Sequence, residues 1–201
     1  PGTPYANGAG LFSLYTDPTK VTTIRDWDPQ DLRRQFNLYP WQFGRGDNTM
    51  LIRKYQDRKA LANGAGGNDY PWYRYADLLL IFAEAANAAN HGPTAEAVEA
   101  LNEVHRRAYG HNPKAPSPVD FRQADYDEAA FLQLIVKERG YETLFEGKRW
   151  LELKRLGIAK AYIRQAKGKE MNDALLLWPV PNAELNYNKA MDPAKDQNPG
   201  Y

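Results

Sequence analysis

Two alanine-rich stretches with helical periodicity follow each other closely and constrain the fold more than any other feature of the chain. The first, YRYADLLLIFAEAANAAN (residues 73–90), carries apolar side chains at the i, i+3, i+4 and i+7 spacing of a buried helical stripe. The stripe consists of Ala76, Leu79, Leu80, Ala83 and Ala86. The segment NHGP ends this helix, and Thr94 is the predicted N-cap of a second helix that contains AVEALNEVHRRA. A connection this short forces the two helices into an antiparallel pair.

The second helix has a matching apolar face, and both helices carry small residues that permit close approach. The face of the second helix consists of Ala97, Val98, Leu101, Val104, His105 and Ala108. Such a pair is the unit of a tetratricopeptide-like repeat, although the full repeat signature is absent. The first helix is apolar on a further side as well, so we expect that side to be covered by additional protein. This further side carries Leu78, Ile81, Phe82 and Ala85.

A third, longer helix is predicted from about Tyr126 to the segment RLGIAKAY. Gly147 indicates a kink or a close contact within this helix, and Gly157 indicates its C-terminal cap. The tail, which contains LLLWPVPNAEL and ends in QNPGY, is predicted to be extended, because a residue before proline is kept out of helical conformation. The predicted fold class is therefore all-α, with helix pairs and long loops.

Residues 1–70 are predicted to be rich in loops, and residues 71–201 to form a helical scaffold with an extended tail. Within the first part, DPQDLRRQF predicts one short helix with Asp28 as its N-cap and Pro29 at its first position. NTMLIRKYQD is consistent with a strand or an extended segment, and NGAGGND with a flexible loop. Many tyrosines and tryptophans lie in these irregular segments, where rigid rings are typical of a binding surface.

Composition excludes several classes of function. With 26 Lys+Arg against 25 Asp+Glu, the formal net charge of +1 lacks the basic surplus of a nucleic-acid-binding protein. The absence of cysteine excludes disulfides, thiolate catalysis and cysteine zinc sites. No stretch approaches the roughly 18 apolar residues that a membrane-spanning helix needs. The chain opens at Pro1 without an initiator methionine, so we expect that an earlier segment has been removed.

The remaining candidate motifs favour neither a metal site nor a cofactor site. The three histidines lack metal-ligand spacing, and His105 is expected to lie in a core or an interface. RDWDPQD offers Asp26, Asp28 and Asp31 but lacks the glycine and distal glutamate of a calcium loop, which favours a helix cap and solvated charges. Calcium stays open. No phosphate loop, Ser/His/Asp order or nucleotide fingerprint is present, and no cofactor is predicted.

Five motifs in order resemble the C-terminal half of the SusD/RagB family. They are YRYADLLLIFAEAANAAN, AVEALNEVHRRA, IVKERGYETLFEGKRWLELKRLG, LLWPVPNAEL and the terminal QNPGY, and they extend over residues 72–201. Two positions depart from the family pattern: His105 stands where arginine is usual, and Glu152 where aspartate is usual. Residues 1–70 match only loosely, mainly through KYQD.

The resemblance implies a SusD-like fold that is incomplete at its N-terminus, residues 1–201 being the C-terminal portion of a single domain. It further implies a cell-surface lipoprotein of the outer membrane, held there by a lipid anchor that is not on this fragment. Family members capture glycans, or in some branches peptides, and form a lid on a SusC-like TonB-dependent transporter. The implied partners are therefore an oligosaccharide or peptide ligand and this transporter, and not a nucleic acid.

The stretch ERGYETLFEGKRWLELKRLG (residues 138–157), read as a helix, stacks Glu138, Glu142 and Glu146 one turn apart. Like charges at this spacing repel, and carboxylates on a helix that also faces a core must meet cations from elsewhere. The predicted donors are Arg74, Arg106 and Arg107 from the first two helices, with Arg139 and Arg149 within the third. We interpret the stretch as scaffold rather than as an acid/base pair, because a carboxylate committed to arginine is a poor proton carrier.

The candidate ligand-binding segment is DWDPQDLRRQFNLYPWQFGRGDN, residues 26–48. The C–H face of a sugar ring stacks on an aromatic plane, while its hydroxyls need donors and acceptors at the rim. The predicted ligand-binding residues are Trp27, Tyr39, Trp41, Phe43, Arg45, Asp47 and Asn48. The alternative, that Trp27 and Phe36 anchor the loop while Trp41 packs on a helix or on the transporter, stays open.

The favoured function is thus non-enzymatic: binding of nutrient glycans or oligopeptides and their delivery to a TonB-dependent transporter. The first alternative is a tetratricopeptide-like adaptor, which concave helix faces rich in Asn, Arg and Lys would favour. A weaker alternative is a glycoside hydrolase of the helical-toroid type. An unpaired carboxyl with a raised pKa beside a tryptophan would favour this hydrolase.

Overall fold

The computed structural model describes residues 12–14, 20–40, 50–57, 59 and 66–201. Their helices are α1 (Thr22–Arg25), α2 (Leu32–Asn37), α3 (Tyr75–Ala89), α4 (Ala95–Ala108), α5 (Glu128–Glu142), α6 (Arg149–Arg155), α7 (Ala159–Lys167) and α8 (Asn182–Tyr187). The strands are β1 (Phe12–Leu14), β2 (Leu38–Pro40) and β3 (Met50–Ile52). Short 3-10 turns lie at Gln123–Asp125 and Asp173–Leu176. The predicted all-α class is confirmed, since the strands have only three residues each.

The predicted helix pair is confirmed: α3 and α4 pack against each other, and α5 packs against both. Their shared core is apolar and closed to solvent, and burial of each larger side chain contributes about 1.5–3 kcal/mol. Its fully buried members are Leu80, Ala83, Ala97, Leu101, Phe131 and Ile135. Thr94 is the N-cap of α4, as predicted, because its hydroxyl accepts a hydrogen bond from the Ala97 amide at 3.1 Å.

One side of α3 remains open to solvent. Leu78, Ile81 and Phe82 are 62%, 47% and 47% exposed, respectively. Three large apolar side chains on adjacent turns of one helix form a contiguous patch, which is unusual for the free surface of a soluble protein.

A small antiparallel sheet lies in the loop-rich part of the chain. Its strand order is β1-β3-β2, with Ser13 and Tyr39 both paired with Leu51 of the central strand. The strand that the sequence offers in NTMLIRKYQD is thus β3. Ile52 of β3 is buried with Leu38 at the start of β2, so the sheet closes over an apolar cluster.

Trp27 lies at the centre of this second apolar cluster and fixes the start of α2. Its ring stacks on Tyr141 of α5 with centroids 4.3 Å apart, and its Nε1 donates to Asp31 at 2.8 Å. Asp31 also accepts from the Arg33 amide and is the N-cap of α2. The prediction of Asp28 as the cap is wrong, because Asp28 accepts instead from the Gln30 amide and from the Tyr109 hydroxyl.

The predicted long third helix is divided into α5 and α6. After Glu142 the chain enters a turn in which Phe145 has φ 62° and Gly147 has φ 68°, both in the left-handed region that ends a helix. A Cβ on Gly147 would lie 2.8 Å from the Tyr70 hydroxyl oxygen, so glycine is needed there for close approach. The close contact that Gly147 indicates is confirmed, whereas its placement inside a continuous helix is wrong.

Contacts within the chain divide it into two compact units, the first ending at Arg149 and the second comprising Trp150–Tyr201. In the second unit, Gly157 has φ 70° and follows α6, and the Ile158 amide donates to the Leu153 carbonyl at 3.0 Å. This is the Schellman pattern of a glycine-capped helix end, so the predicted role of Gly157 as a cap is confirmed.

The tail is more ordered than the sequence predicts. It contains α8 in addition to extended segments, because prolines 179 and 181 keep only the residues before them out of helical conformation. Helix α7 lies before this tail and begins within RLGIAKAY, where the predicted third helix ends. Two of the quoted motifs pair with each other: Gln197 bonds both the amide and the carbonyl of Val180, and Asn198 donates to the Trp178 carbonyl. The prediction that all 201 residues belong to a single domain stays a prediction.

Candidate functional site: a buried carboxylate cluster beside exposed aromatic rings

Three glutamates form the electrostatic centre of the first unit. Glu138, Glu142 and Glu146 are only 3%, 4% and 1% exposed, and we call them the carboxylate cluster. Glu138 and Glu142 lie one turn apart at the end of α5, whereas Glu146 lies in the turn that follows. A buried carboxylate costs several kcal/mol unless a cation accompanies it, so the surroundings of the cluster decide what it can do.

Arg33 joins the short helix α2 to the carboxylate cluster. Its guanidinium lies 2.9 Å from Glu138 and 3.4 Å from Glu142, and it also contacts the cap residue Asp31 at 2.6 Å. On the other side of Glu138, Nδ1 of the buried His105 lies 3.3 Å away. The cluster therefore fixes a helix that is more than one hundred residues distant in the sequence, the separation from Arg33 to Glu138 being 105.

Arg74 and Arg107 contact the middle carboxylate. Both lie 2.6 Å from Glu142, and Arg74 reaches Glu146 as well, at 2.7 Å. Arg74 is the residue that precedes α3 and Arg107 lies near the end of α4, so the pairs connect both helices of the hairpin to α5. A guanidinium that bridges two carboxylates fixes the angle between helices more strictly than apolar contact does.

Two lysines complete the surroundings of Glu146. Nζ of Lys54, just after β3, lies 2.6 Å from its carboxylate, and Nζ of Lys148 lies 3.0 Å away. Lys54 also donates to the Glu142 carbonyl at 2.8 Å, and Lys148 contacts Asp77 at 2.7 Å. Every carboxylate of the cluster is thus matched by at least one cation.

The pKa values follow from this competition between burial and charge. Burial alone would raise the pKa of the Glu142 carboxyl, but Arg107 and Arg74 outweigh burial and lower this pKa to about 2. In the same way, cations outweigh burial and lower the pKa of Glu138 and of Glu146. All three groups are therefore carboxylates at neutral pH. This is a poor starting point for a general acid, which needs a raised pKa.

The arginines predicted as donors do not all reach the carboxylate cluster. Arg106 instead contacts Glu99 and Asp120, each at 2.6 Å, and ties α4 to the loop before α5. This corrects the expectation that it neutralises the stacked glutamates. Arg139 pairs with Glu84 of α3 at 2.7 Å and donates to the Leu80 carbonyl. Arg149 donates to the Val136 carbonyl at 2.7 Å. Sequence reasoning did not find Arg33, Lys54 and Lys148 as donors.

The predicted ligand-binding residues lie mostly outside the described part of the chain. Trp27 is the exception, and it needs a correction: it is 2% exposed and its ring stacks on Tyr141, so neither face of the ring is free for a sugar. Tyr39 is the central residue of β2, but its side chain is not described. The others, Trp41, Phe43, Arg45, Asp47 and Asn48, lie outside the described residues.

Exposed aromatic side chains that the sequence did not single out lie in the segment before α3. Tyr70, Trp72 and Tyr73 are 51%, 78% and 79% exposed. The Tyr70 ring lies between those of Tyr55 and Trp72, with centroids 6.2 and 6.1 Å away. We call Tyr55, Tyr70 and Trp72 the aromatic row. The sequence does indicate them: in DYPWYRY (residues 69–75) most of the aromatic residues come before helix α3, so they cannot belong to its apolar stripe.

The aromatic row is attached to the turn that carries the end of the carboxylate cluster. The Tyr55 hydroxyl donates to the Phe145 carbonyl at 3.2 Å, and the Tyr70 hydroxyl donates to the Glu146 carbonyl. Burial also raises the pKa of the Tyr55 hydroxyl, which stays a donor at neutral pH. The cluster and the aromatic row therefore share one segment of backbone.

A groove of about 300 Å³ borders the carboxylate cluster at Glu142. Leu32 and Phe36, 45% and 50% exposed, provide apolar surface in its lining, and Arg107 and Glu142 provide charge. This volume is at the lower limit of typical ligand pockets. Because Arg107 and Glu142 pair with each other, the groove offers a ligand apolar contact rather than an unpaired charge.

The described residues contain no cluster of three or more His, Asp or Glu side chains placed to hold a metal ion. Asp26, Asp28 and Asp31 have separate partners: Arg25, the Tyr109 hydroxyl and Arg33, respectively. In the same part of the chain, no helix is both long and apolar enough to cross a bilayer.

Comparison with known proteins adds the family to this geometry. Residues 27–201 match the model of the SusD family. The chain belongs to the SusD family. Among curated SusD relatives, SusD-like protein P2 of Formosa agariphila is 32% identical over 206 residues, which cover 90% of this chain and 39% of the relative.

Solved structures share the fold. A SusD homolog from Bacteroides thetaiotaomicron has a TM-score of 0.71 and 27% identity, covering 90% of this chain and 43% of that one. Surface glycan-binding protein A from Bacteroides uniformis has a TM-score of 0.62 at 22% identity, covering 94% of this chain and 48% of that one, and shows the fold alone. The chain thus spans about two-fifths of the length of the SusD relatives it matches.

Proposed function

We propose that this protein binds nutrient glycans at the cell surface and delivers them to a TonB-dependent transporter of the outer membrane. The observation that carries the proposal is the match of residues 27–201 to the SusD family, whose members are cell-surface lipoproteins that bind glycans for uptake. Oligopeptides are the other class of ligand that the resemblance implies. Both the class of ligand and the transporter as a partner are part of this proposal.

The chemistry of the carboxylate cluster supports a binding role rather than catalysis. Glycoside hydrolysis needs one carboxyl that holds a proton near neutral pH and a second one that does not. Glu138, Glu142 and Glu146 instead have lowered pKa values and lie within ion pairs. These residues stabilise the arrangement of helices, and the proposed ligand contacts lie elsewhere.

The proposed ligand contacts are Tyr39 of β2 and residues of the segment between β2 and β3. The full set is Tyr39, Trp41, Phe43, Arg45, Asp47 and Asn48. Strands β2 and β3 pair antiparallel from Leu38–Ile52 to Pro40–Met50, so the two residues that flank positions 41–49 are neighbours. Binding residues are often carried by segments that a rigid scaffold positions, which supports this choice.

The test is an affinity screen of the full-length protein, followed by two alanine substitutions. Oligosaccharides and oligopeptides are titrated by calorimetry, and Tyr39→Ala and Trp41→Ala are compared with the parent. Each lost stacking plane is expected to weaken binding by about three- to tenfold, without a matching loss of thermal stability. A ligand-site variant still co-purifies with the transporter, whereas a variant at the transporter interface binds ligand normally and releases the barrel. Absence of binding to every compound would reject the proposed function.

A further inference from the structure

We propose that the aromatic row is a sugar-stacking platform, with Trp72 as the ring that contacts a pyranose unit of the bound glycan. This platform is distinct from the proposed contacts in the loop between β2 and β3. The inference rests on the proposed function, since it assigns one contact of the same glycan ligand. Its basis is the exposure, the arrangement and the anchoring of the three rings.

The exposure of Trp72 is the first observation. Tryptophan is highly buried on average, yet Trp72 is 78% exposed, and Tyr73 beside it is 79% exposed. Trp72 is not isolated on the surface, because its ring meets the Tyr70 ring edge-on, with an interplanar angle of 82°. At this angle Tyr70 does not stack flat on the indole, and with 78% of the side chain exposed most of the indole surface is open to a sugar.

The arrangement of polar groups around the rings is the second observation. Asn68 and Asp69 are exposed immediately before Tyr70, and the Tyr73 side chain is exposed as well. The Asn68 amide nitrogen donates to the Tyr55 carbonyl, so its amide oxygen, the Asp69 carboxylate and the Tyr73 hydroxyl are the groups that can bond sugar hydroxyls. A purely apolar partner would bury these groups without water or hydrogen bonds. The surroundings therefore favour an oligosaccharide over an apolar protein surface.

The anchoring of the aromatic row is the third observation. Tyr55 and Tyr70 donate their hydroxyl protons to the carbonyls of Phe145 and Glu146, in the turn after α5. Phe145 has φ 62°, a left-handed conformation that a residue with a Cβ adopts only at a cost. Gly147 leaves the space that the Tyr70 hydroxyl occupies. The strained turn thus serves to hold two of the three rings in place.

Trp72 is restrained from its other side by Arg74. The Arg74 guanidinium is bound to Glu142 and Glu146, and the Arg74 amide donates to Asp77 at 2.8 Å. Only Tyr73 separates Trp72 from this fixed residue, so the backbone on both sides of Trp72 has little freedom. A ring that is ordered before binding loses little conformational entropy when the sugar arrives, which favours affinity.

The experiment compares three variants of the full-length protein by calorimetry against maltohexaose, cellohexaose, xylohexaose and laminarihexaose. Trp72→Ala is expected to weaken binding of the best hexasaccharide by about three- to tenfold. Trp72→Phe keeps an aromatic plane and is expected to retain most of the affinity. Trp178→Ala is the matched control, because Trp178 has the same exposure of 78% but lies in the second unit, and its affinity is expected to equal that of the parent.

Thermal unfolding of the same variants separates the remaining outcomes. If Trp72→Ala binds the hexasaccharide as tightly as the parent, the platform is rejected while the proposed function stands. If Trp72→Ala instead lowers the melting temperature or releases the transporter without changing affinity, Trp72 is covered by protein and the inference is again rejected. If the parent binds no oligosaccharide, neither these four nor those of the affinity screen, both the inference and the proposed glycan-binding function are rejected.

Discussion

Three arginines, Arg33, Arg74 and Arg107, contact the carboxylate of Glu142. Its pKa is lowered from 4.5 to about 2 in the folded protein. Glu142→Gln keeps the shape but removes the charge, so the free energy of unfolding at pH 7 is expected to fall by about 3 kcal/mol. Because the folded-state pKa is the lower one, this stabilisation is complete above about pH 5 and is lost as pH falls from about 4.5 to about 2.

Urea unfolding at a series of pH values measures both effects. The parent and Glu142→Gln are expected to differ most at neutral pH and to converge near pH 2. The matched control is Glu170→Gln, since Glu170 pairs with Arg164 at 2.6 Å while both side chains are more than half exposed. A surface pair of this kind is worth less than about 1 kcal/mol. Equal stability of the parent and Glu142→Gln at pH 7 would contradict the scaffold role.

Some partners of the carboxylate cluster could be predicted from the sequence, and others could not. Arg74 directly precedes one strongly periodic helix and Arg107 lies in another, so their approach to a third helix follows from the packing of those helices. Arg33 belongs to a six-residue helix whose position depends on the stacking of Trp27 on Tyr141. No local pattern reports a contact of this kind. The prediction of Trp27 as a ligand residue is wrong for the same reason: only the fold supplies the Tyr141 ring that covers it.

At the scale of elements, the cap of α6 provides a test of how the second unit is ordered. Gly157 has φ 70°, and an added Cβ there would meet nothing within 4 Å. Gly157→Ala is therefore expected to cost about 1–2 kcal/mol through backbone strain alone. The matched control is Gly66→Ala, where an added Cβ also meets nothing within 4 Å and no left-handed φ is required. Amide exchange in α6 and α7 measures the difference, and equal protection in both variants would refute the assignment of the cap.

The elements differ in how well the sequence predicts them. Helices α3 and α4 could be predicted because an apolar stripe, a cap and a turn signal agree over many residues. The end of α5 could not, since Phe145 continues the apolar spacing of the helix while its backbone is left-handed. Its carbonyl instead accepts a hydrogen bond from Tyr55, and such a tertiary contact leaves no local signal. Helix α8 is short and directly follows Pro181, and prolines favour extended neighbours, so the sequence predicts an extended segment there.

At the scale of the whole molecule, the open side of α3 yields the next expectation. The chain spans 39% of the length of SusD-like protein P2, and in a protein of that length we expect Leu78 and Phe82 to be buried by further helices. Leu78→Asp should then cost about 1.5–3 kcal/mol in the full-length protein but little in the 201-residue chain, where this leucine is 62% exposed.

Denaturant unfolding of the two proteins, each with and without the substitution, measures this difference. We also expect the 201-residue chain alone to be poorly soluble or loosely packed, because its apolar patch stays in water. A sharp, cooperative melt of the 201-residue chain, together with equal effects of Leu78→Asp in both proteins, would contradict the expectation.

The long sequence separation of Arg33 from Glu138 also matters during synthesis on the ribosome. These two residues are 105 positions apart, so at about 5–20 residues per second the carboxylate emerges roughly 5–20 seconds after its arginine. Arg74 and Glu142 are 68 positions apart, so Arg74 is also synthesised well before its partner. Until then these cations have no carboxylate of the cluster to pair with and must remain hydrated. The short helix α2 and the segment before α3 therefore reach their final places only after the end of α5 has been made.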